Sequence, residues 1–223
     1  MNPRLLATLC LSAGLLTAQN EHARRLEEAA AVFSEIMGIA DRSIPQDLLD
    51  KAHCAVIVPG LKKGAFIFGG KYGRGFISCR KAENVGWSAP GAVRVEGGSF
   101  GLQIGGSETD VIMLVMNERG AQKLLSSKFT LGGDASVAAG PVGRTASAET
   151  DALLRAEILT WSRSRGVFAG VSLQGATLRR DQAAVKALYG RDYENRDIVL
   201  KNVPAPPAAG RLISLLNKYS SRK

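Results

Sequence analysis

Residues 64–72 read GAFIFGGKY and carry the glycines and lysine that a phosphate-cradling loop uses. Such a loop needs glycine, four residues, then Gly-Lys-Ser/Thr. Gly64 stands one position too early for Gly70-Lys71, and Tyr72 replaces the residue whose hydroxyl would hold magnesium, so no nucleotide site is expected. Glu108 and Asp110 flank Thr109 at the mouth of the apolar run 110–116. In an extended segment they share one face. They can act as an acid/base pair, contact calcium, or simply mark a polar strand entrance. His22 and His53 are too few for a zinc site, and there is no Gly-x-Ser-x-Gly elbow. No catalytic residue, metal or cofactor is expected.

The basic residues say more. Lys62, Lys63, Lys71, Arg74, Arg80 and Lys81 fall between positions 60 and 81 with no acidic residue among them. Arg163, Arg165, Arg179 and Arg180 lie close to expected strand ends, and residues 201–223 again carry no acid. Loops joining strands can gather such side chains at one rim. A basic rim either binds lipid phosphates, each nearby cation contributing about 1 kcal/mol, or only solubilises the surface. Aromatic residues are 6% of the chain. With no stacking platform interleaved among the cations, nucleic acid is not an expected partner.

The chain has 223 residues, 45% of them hydrophobic, with a net charge of +9 and a pI near 9.7. This length and composition suit one compact domain with an apolar core, and the charge favours anionic partners. Arg4 precedes an apolar run from Leu5 to Leu16, too short to span a bilayer comfortably. Residues 1–18 read as a signal peptide, with export to the periplasm or medium as the expected address, or else as an uncleaved amphiphilic anchor. Without them Cys54 and Cys79 are the two cysteines left. In an oxidising compartment they pair; otherwise they are buried thiols.

The elements that position these residues follow from periodicity. Residues 20–40 place Leu26, Ala29, Ala30, Phe33, Ile36, Met37 and Ala40 on one helical stripe, with Asn20 as cap and Gly38 at the end. Residues 43–52 form a second helix. Short apolar runs bounded by glycine or proline then predict strands at 55–60, 64–70, 75–80, 91–98 and 99–106, and the run 110–116 predicts a central one. A helix capped by Asn117 covers 118–127. Two more strands turn about Gly166. Residues 181–190 are a helix ended by glycine, 204–210 a Pro/Ala linker, and 211–219 a basic amphipathic helix. The predicted class is α+β: a largely antiparallel, curved, glycine-rich sheet flanked by short helices.

Residues 130–144, TLGGDASVAAGPVGR, and 162–178, SRSRGVFAGVSLQGATL, resemble the signature of the SYLF domain, a lipid-binding and actin-regulator family. WSAPGAV (87–93), GGSFGLQIGGSETDVIMLVM (97–116) and IPQDLLDKAHCAVIVPG (44–60) extend the resemblance over about residues 25–200. The resemblance implies a non-enzymatic domain, here residues 19–200, that binds membranes, phosphoinositides in eukaryotic relatives and actin filaments in some fungal ones. An amphipathic N-terminal helix is the implied lipid contact. Here that helix carries Leu26, Phe33, Ile36 and Met37 on its apolar face and Arg24 and Arg25 on its polar face, the latter outnumbered by glutamates. Headgroup phosphates would then fall to Lys62, Lys63, Lys71, Arg74, Arg163 and Arg165, or to the C-terminal helix. An anionic phospholipid surface is the expected partner of what would be a free-standing bacterial form. The alternative is a protein-interaction or envelope-structural module with an acidic partner. The 130–144 stretch is expected to act through its backbone, its glycines and tiny side chains allowing turns and close packing.

Overall fold

A computed structural model describes residues 3–39, 43–65, 68–81, 85–100, 105–141, 156–164, 167–168 and 173–220. Four long strands dominate: β1 (Cys54–Ala65), β2 (Phe68–Cys79), β3 (Gly91–Phe100) and β4 (Gly105–Val115). Five shorter ones follow, β5 (Lys128–Thr130), β6 (Val137–Ala139), β7 (Ile158–Ser164), β8 (Val167–Phe168) and β9 (Thr177–Arg180). They form one sheet in the order β5-β9-β3-β2-β1-β4-β7-β6, with β8 on β7. Among the described residues every pairing is antiparallel except β6–β7. The predicted α+β class holds. The predicted strand at 64–70 does not: β1 ends at Ala65 and β2 begins at Phe68, antiparallel to it, so that apolar run is shared between two strands. Residues 101–104, from the run predicted as a strand at 99–106, lie outside the described residues.

The sheet is curled, and the 130–144 stretch shows why it must be. β5 and β6 stand at opposite ends of the strand order. In a flat sheet, seven inter-strand steps would part them by about 34 Å. Yet only Leu131–Ser136 joins them, and Thr130 to Val137 reaches about 25 Å even when fully extended. Here it is not extended: the Asp134 N–H donates to Thr130 O at 2.8 Å, and Gly132 takes φ +80. Leu131 bonds across to the chain before β9, its N–H to Ala176 O and its O from Gly175 N, both at 2.8 Å. Farther on, a Cβ on Gly140 would lie 2.2 Å from the Trp161 ring, whose Nε1 donates to Pro141 O at 2.8 Å. The backbone role read from this stretch is what the fold uses.

Curling gives the sheet an inner and an outer face, each with its own core. Inside lie Cys54, Val56, Val58, Leu61, Ile77, Val95, Val111, Met113, Val115, Phe129 and Leu178. The helix α3 (Glu118–Leu124) contributes Ala121 and Leu124 to this core, and Asn117 caps it by accepting from Gly120 N at 2.7 Å. Outside, Ala55, Ile57, Phe76, Ile112, Leu114 and Trp161 pack under a helical layer. That layer consists of α1 (Pro3–Gly38), α2 (Gln46–Lys51), α4 (Gln182–Tyr189), α5 (Asn195–Leu200) and α6 (Gly210–Tyr219). The alternation of 54, 56, 58 inward with 55, 57 outward is the two-residue period of a strand buried on both faces. α1 is longer than its predicted span. Asn20 lies inside it and caps nothing, because residues 3–19 continue the same helix. Among the described residues no helix is long and apolar enough to cross a membrane.

Two covalent or polar staples close the ends. Cys54 and Cys79, register partners on β1 and β2, form a disulfide inside the inner core. Arg80, expected on the basic rim, is instead 6% exposed. Its guanidinium lies 4.1 Å from the Trp87 ring centre and donates to Leu49 O at 3.0 Å, to Ala52 O, and to Ser220 O and Oγ. It thereby joins the carbonyl ends of α2 and α6, where a cation is favoured. Sequence could not separate this arginine from its neighbours, since burial depends on Trp87 and on residues 140 positions away. The C-terminal helix likewise packs into the outer core, with Leu212 and Leu216 at 1% and 0% exposure. The disulfide closes a loop of separation 25. Replacing both cysteines by alanine is expected to lower unfolding stability by about 3 kcal/mol, read as a fall in the urea midpoint.

Candidate interaction groove

The outer face of β1, β2 and β4 meets the flank of α1 in an open groove of about 540 Å³, lined by Arg24, Arg25, Glu28, Val32, Glu35, Lys62, Tyr72, Arg74, Asp110 and Arg163 among others. A bulge between Val58 and Leu61 shapes its floor. At the bulge Gly60 has φ +57, and a Cβ there would lie 2.5 Å from Glu108 Oε1. Glycine at this position thus meets both a conformational and a steric demand. The Gly60 N–H donates to Asp110 Oδ1 at 3.0 Å.

From Asp110 a chain of charges crosses to the helix. Arg163 on β7 pairs with Asp110 at 3.1 Å and with Glu35 of α1 at 2.6 Å. Burial opposes its charge, but the Glu35 and Asp110 hydrogen bonds outweigh burial and raise its pKa. This arginine therefore fastens α1 to the sheet. The expectation that it holds lipid phosphate meets two carboxylates already in that role. Asp110 is accounted for in the same way, so Glu108 and Asp110 do not form an isolated acid/base pair. No cluster able to hold a metal occurs among the described residues.

The other predicted cations divide. Arg24 pairs with Glu28 at 3.6 Å and Arg25 with Glu21 at 2.7 Å. Arg74 lies 3.3 Å from Asp181, the cap of α4, and donates to Tyr72 Oη at 2.6 Å. Lys62 is exposed, stands between Tyr72 and Glu108 in register, and has no ion-pair partner among the described residues. Lys63 and Lys71 belong to the inner face and not to this groove wall. Arg165 lies outside the described residues. The helix stripe is equally decided by packing. Leu26, Phe33 and Ile36 are all 0% exposed, and Met37 packs partly buried against the same outer core. Insertion of these four into a membrane would require α1 to leave the sheet. Tyr72, 45% exposed, is a feature of the groove that periodicity did not mark. Its only signal in sequence was an aromatic among lysines and arginines.

These features define a class: a curled-sheet domain with a groove lined by mostly paired charges between its N-terminal helix and the sheet. The family model of the Las17-binding protein actin regulators, Ysc84, matches residues 96–219. The chain is 32% identical over 204 residues to Protein YSC84 of Saccharomyces cerevisiae, covering 90% of this chain and 43% of that protein. It is 37% identical over 181 residues to an SH3 domain-containing protein of Schizosaccharomyces pombe, covering 80% and 42%. To the human SH3 domain-containing YSC84-like protein 1 it is 29% identical over 202 residues, covering 88% and 58%. The chain belongs to the Ysc84 family, the SYLF family named from its sequence, and spans less than half of those two yeast relatives.

Two measurements check this geometry. Arg163→Gln is expected to cost about 1–2 kcal/mol of stability, because Asp110 keeps its partly buried charge without its partner; urea unfolding reads it. His22 is buried on α1 beside Arg25, and burial first, then Arg25, lowers its pKa below 6.5 despite Asp181 and Glu21. The unfolded chain then binds this proton more readily than the folded one. Stability from this residue is full above about pH 6.5 and falls as pH drops below it. The urea midpoint should fall between pH 7 and pH 5, and His22→Gln should flatten that fall.

Proposed function

We propose that this chain is a non-catalytic interaction module whose groove docks a protein partner through a surface of mixed charge. The observation that carries this is the state of the groove's charges. Arg24, Arg25, Arg74 and Arg163 each have carboxylate partners within the domain. A mosaic of paired charges with one exposed tyrosine and one exposed lysine suits another protein's mixed surface better than a uniform sheet of phosphates. Aromatic anchors amid polar contacts are what protein interfaces favour. The family adds support, since the matching model is that of a Las17-binding actin regulator and a relative is named LAS seventeen-binding protein 3. Partner binding of that kind is carried over to this chain as part of the proposal.

A membrane-surface role is the second reading. The net charge of +9 favours it, as does Lys62, an exposed cation without an acidic partner among the described residues. Export through residues 1–18 belongs to either reading. The buried Cys54–Cys79 disulfide supports it, because such bonds persist in oxidising compartments.

Filamentous actin and purified Las17 serve as protein probes, and vesicles containing phosphatidylserine as the lipid probe. Salt-dependent binding to a protein probe, weakened about tenfold by Lys62→Glu combined with Tyr72→Ala, is the expected result. Binding to vesicles alone would transfer the function to the second reading. Failure to bind either protein probe would remove the proposed one.

A further inference from the structure

The long strand β4 is covered unevenly. On one side β1 pairs with it from Val115 to Gly105. On the other, β7 pairs only with Asp110–Val115. The same register carried onward would set Val167 opposite Gly106, but Val167 turns back and pairs with Ser164 in β8. Arg163 faces Asp110 on one flank and Phe168 on the other, so β8 lies on the side of β7 away from β4. Among the described residues Gly105–Thr109 therefore has one unpaired edge, about 14 Å long at about 3.4 Å per residue.

Backbone alternation says which groups that edge presents. In an antiparallel ladder the N–H and C=O of one residue leave on the same side, and those of the next residue on the other. The Met116 N–H donates to Glu157 O at 2.9 Å, so the even-numbered residues of β4 address β7. Ser164 Oγ agrees, donating to Glu108 O at 3.1 Å. Gly106 thus turns both its N–H and its C=O to the open edge, and Glu108 its N–H, with no hydrogen-bond partner for these groups among the described residues. Ser107 and Thr109 are turned the other way, onto β1. Gly106, Ser107 and Glu108 are exposed. They line an open cleft of about 770 Å³ together with Lys62, Lys63 and Ser164. Sheet edges are commonly blunted by proline, a bulge or an inward-pointing charge. This one is bare: among the described residues a Cβ at Gly106 would meet only Lys63 O, at 3.8 Å.

An edge with two free donors and a free acceptor takes an extended backbone, and the side chains beside it choose which one. We infer that β4 accepts, at Gly106–Glu108, an added strand from a partner protein, and that this strand carries an acidic residue opposite Ser107. The charge follows from the cleft. Arg163 and Asp110 pair with each other. Lys62 and Lys63 have no acidic partner within ion-pair distance among the described residues, against the single remaining carboxylate of Glu108. Lys63, two residues beyond the inward Leu61, stands on the inner face beside its register partner Ser107. A residue opposite Ser107 on the added strand lies about 9.6 Å from Lys63, two inter-strand steps, which a lysine and a glutamate reaching toward each other can span. Burial, then Lys71, lowers the pKa of Lys63, and a carboxylate at that position favours its charged form. The inference rests on the docking reading of this chain. It adds that an extended segment of the partner occupies the backbone edge beside the groove.

The test uses the whole chain and a peptide of alternating threonine and valine with one central glutamate among its threonines, alongside a counterpart with lysine at that place. Amide hydrogen exchange followed by NMR reads the complex. Protection is expected to rise at Gly106 and Glu108 and to stay unchanged at Ser107 and Thr109, an alternation that side-chain contact does not produce. The glutamate peptide should bind about tenfold more tightly than the lysine one, and Lys63→Gln should erase that preference. Gly106→Pro removes a donor that the fold itself does not use, and proline is tolerated at such an edge. It should keep the parent's urea midpoint and weaken the peptide about tenfold or more, whereas Gly106→Ala should bind within about twofold of the parent. Peptide binding that leaves Gly106 and Glu108 unprotected, or that survives Gly106→Pro, overturns the inference. Protection of those two amides that grows with protein concentration and needs no peptide assigns the edge to a second copy of this chain and overturns it as well. Las17 and actin keep the two readings apart. If both are ignored while the peptide is bound at the edge, the groove reading alone falls; if either is bound while the peptide is not, this inference alone falls.

Discussion

The burial of one stripe of α1 on the outer face of the sheet sets most of what this protein can present to a partner. Leu26, Ala29, Ala30, Phe33 and Ile36 are all fully buried there. Fully burying one large apolar side chain contributes about 1.5–3 kcal/mol, so three such side chains on one helix bind it firmly. Once that stripe faces inward, the polar flank of the helix must face the sheet's charged residues. Glu35 then meets Arg163, and Glu21 meets Arg25 and approaches Arg74. The groove is therefore a consequence of helix docking, and the Arg163–Glu35 and Arg74–Glu21 pairs are the seam between the helix and the strands.

The same constraint separates two populations of cations that look alike along the chain. Strand alternation, reset by the bulge at Pro59–Gly60, sends Lys62 outward and Lys63 inward. Adjacent lysines thus serve different faces. Arg80 leaves the surface altogether, since Trp87 and the carbonyl ends of two helices surround its guanidinium. A sum of charge describes the molecule's long-range attraction for anions. It does not describe any one site, because each guanidinium or ammonium is read by its own neighbours.

Several features were legible in the sequence for physical reasons. The Asn117 cap and the glycine stop at Gly190 are local signals, and each appears in the structure. The motif around residues 130–144 identifies the family, and among its described residues Gly132 and Gly140 serve as backbone and packing devices. What it accomplishes, joining the two edges of a curled sheet, needed the strand order. The helix stripe was legible as a stripe, but a stripe that packs on a sheet and one that enters a membrane have the same periodicity. Only the presence of Ile57, Ile112 and Trp161 beneath it tells them apart.

By itself the sequence determined the class of fold, the family, the positions of most helices and strands, and the surplus of positive charge. These follow from residue spacing and composition, which act within a turn or a strand. The tertiary structure decided which cations are neutralised and which cysteine meets which. It also decided that Lys63 faces Lys71 across two strands and that the C-terminal helix joins the core. Those outcomes rest on register and curl, which bring together residues far apart in the chain, and no local pattern carries that information.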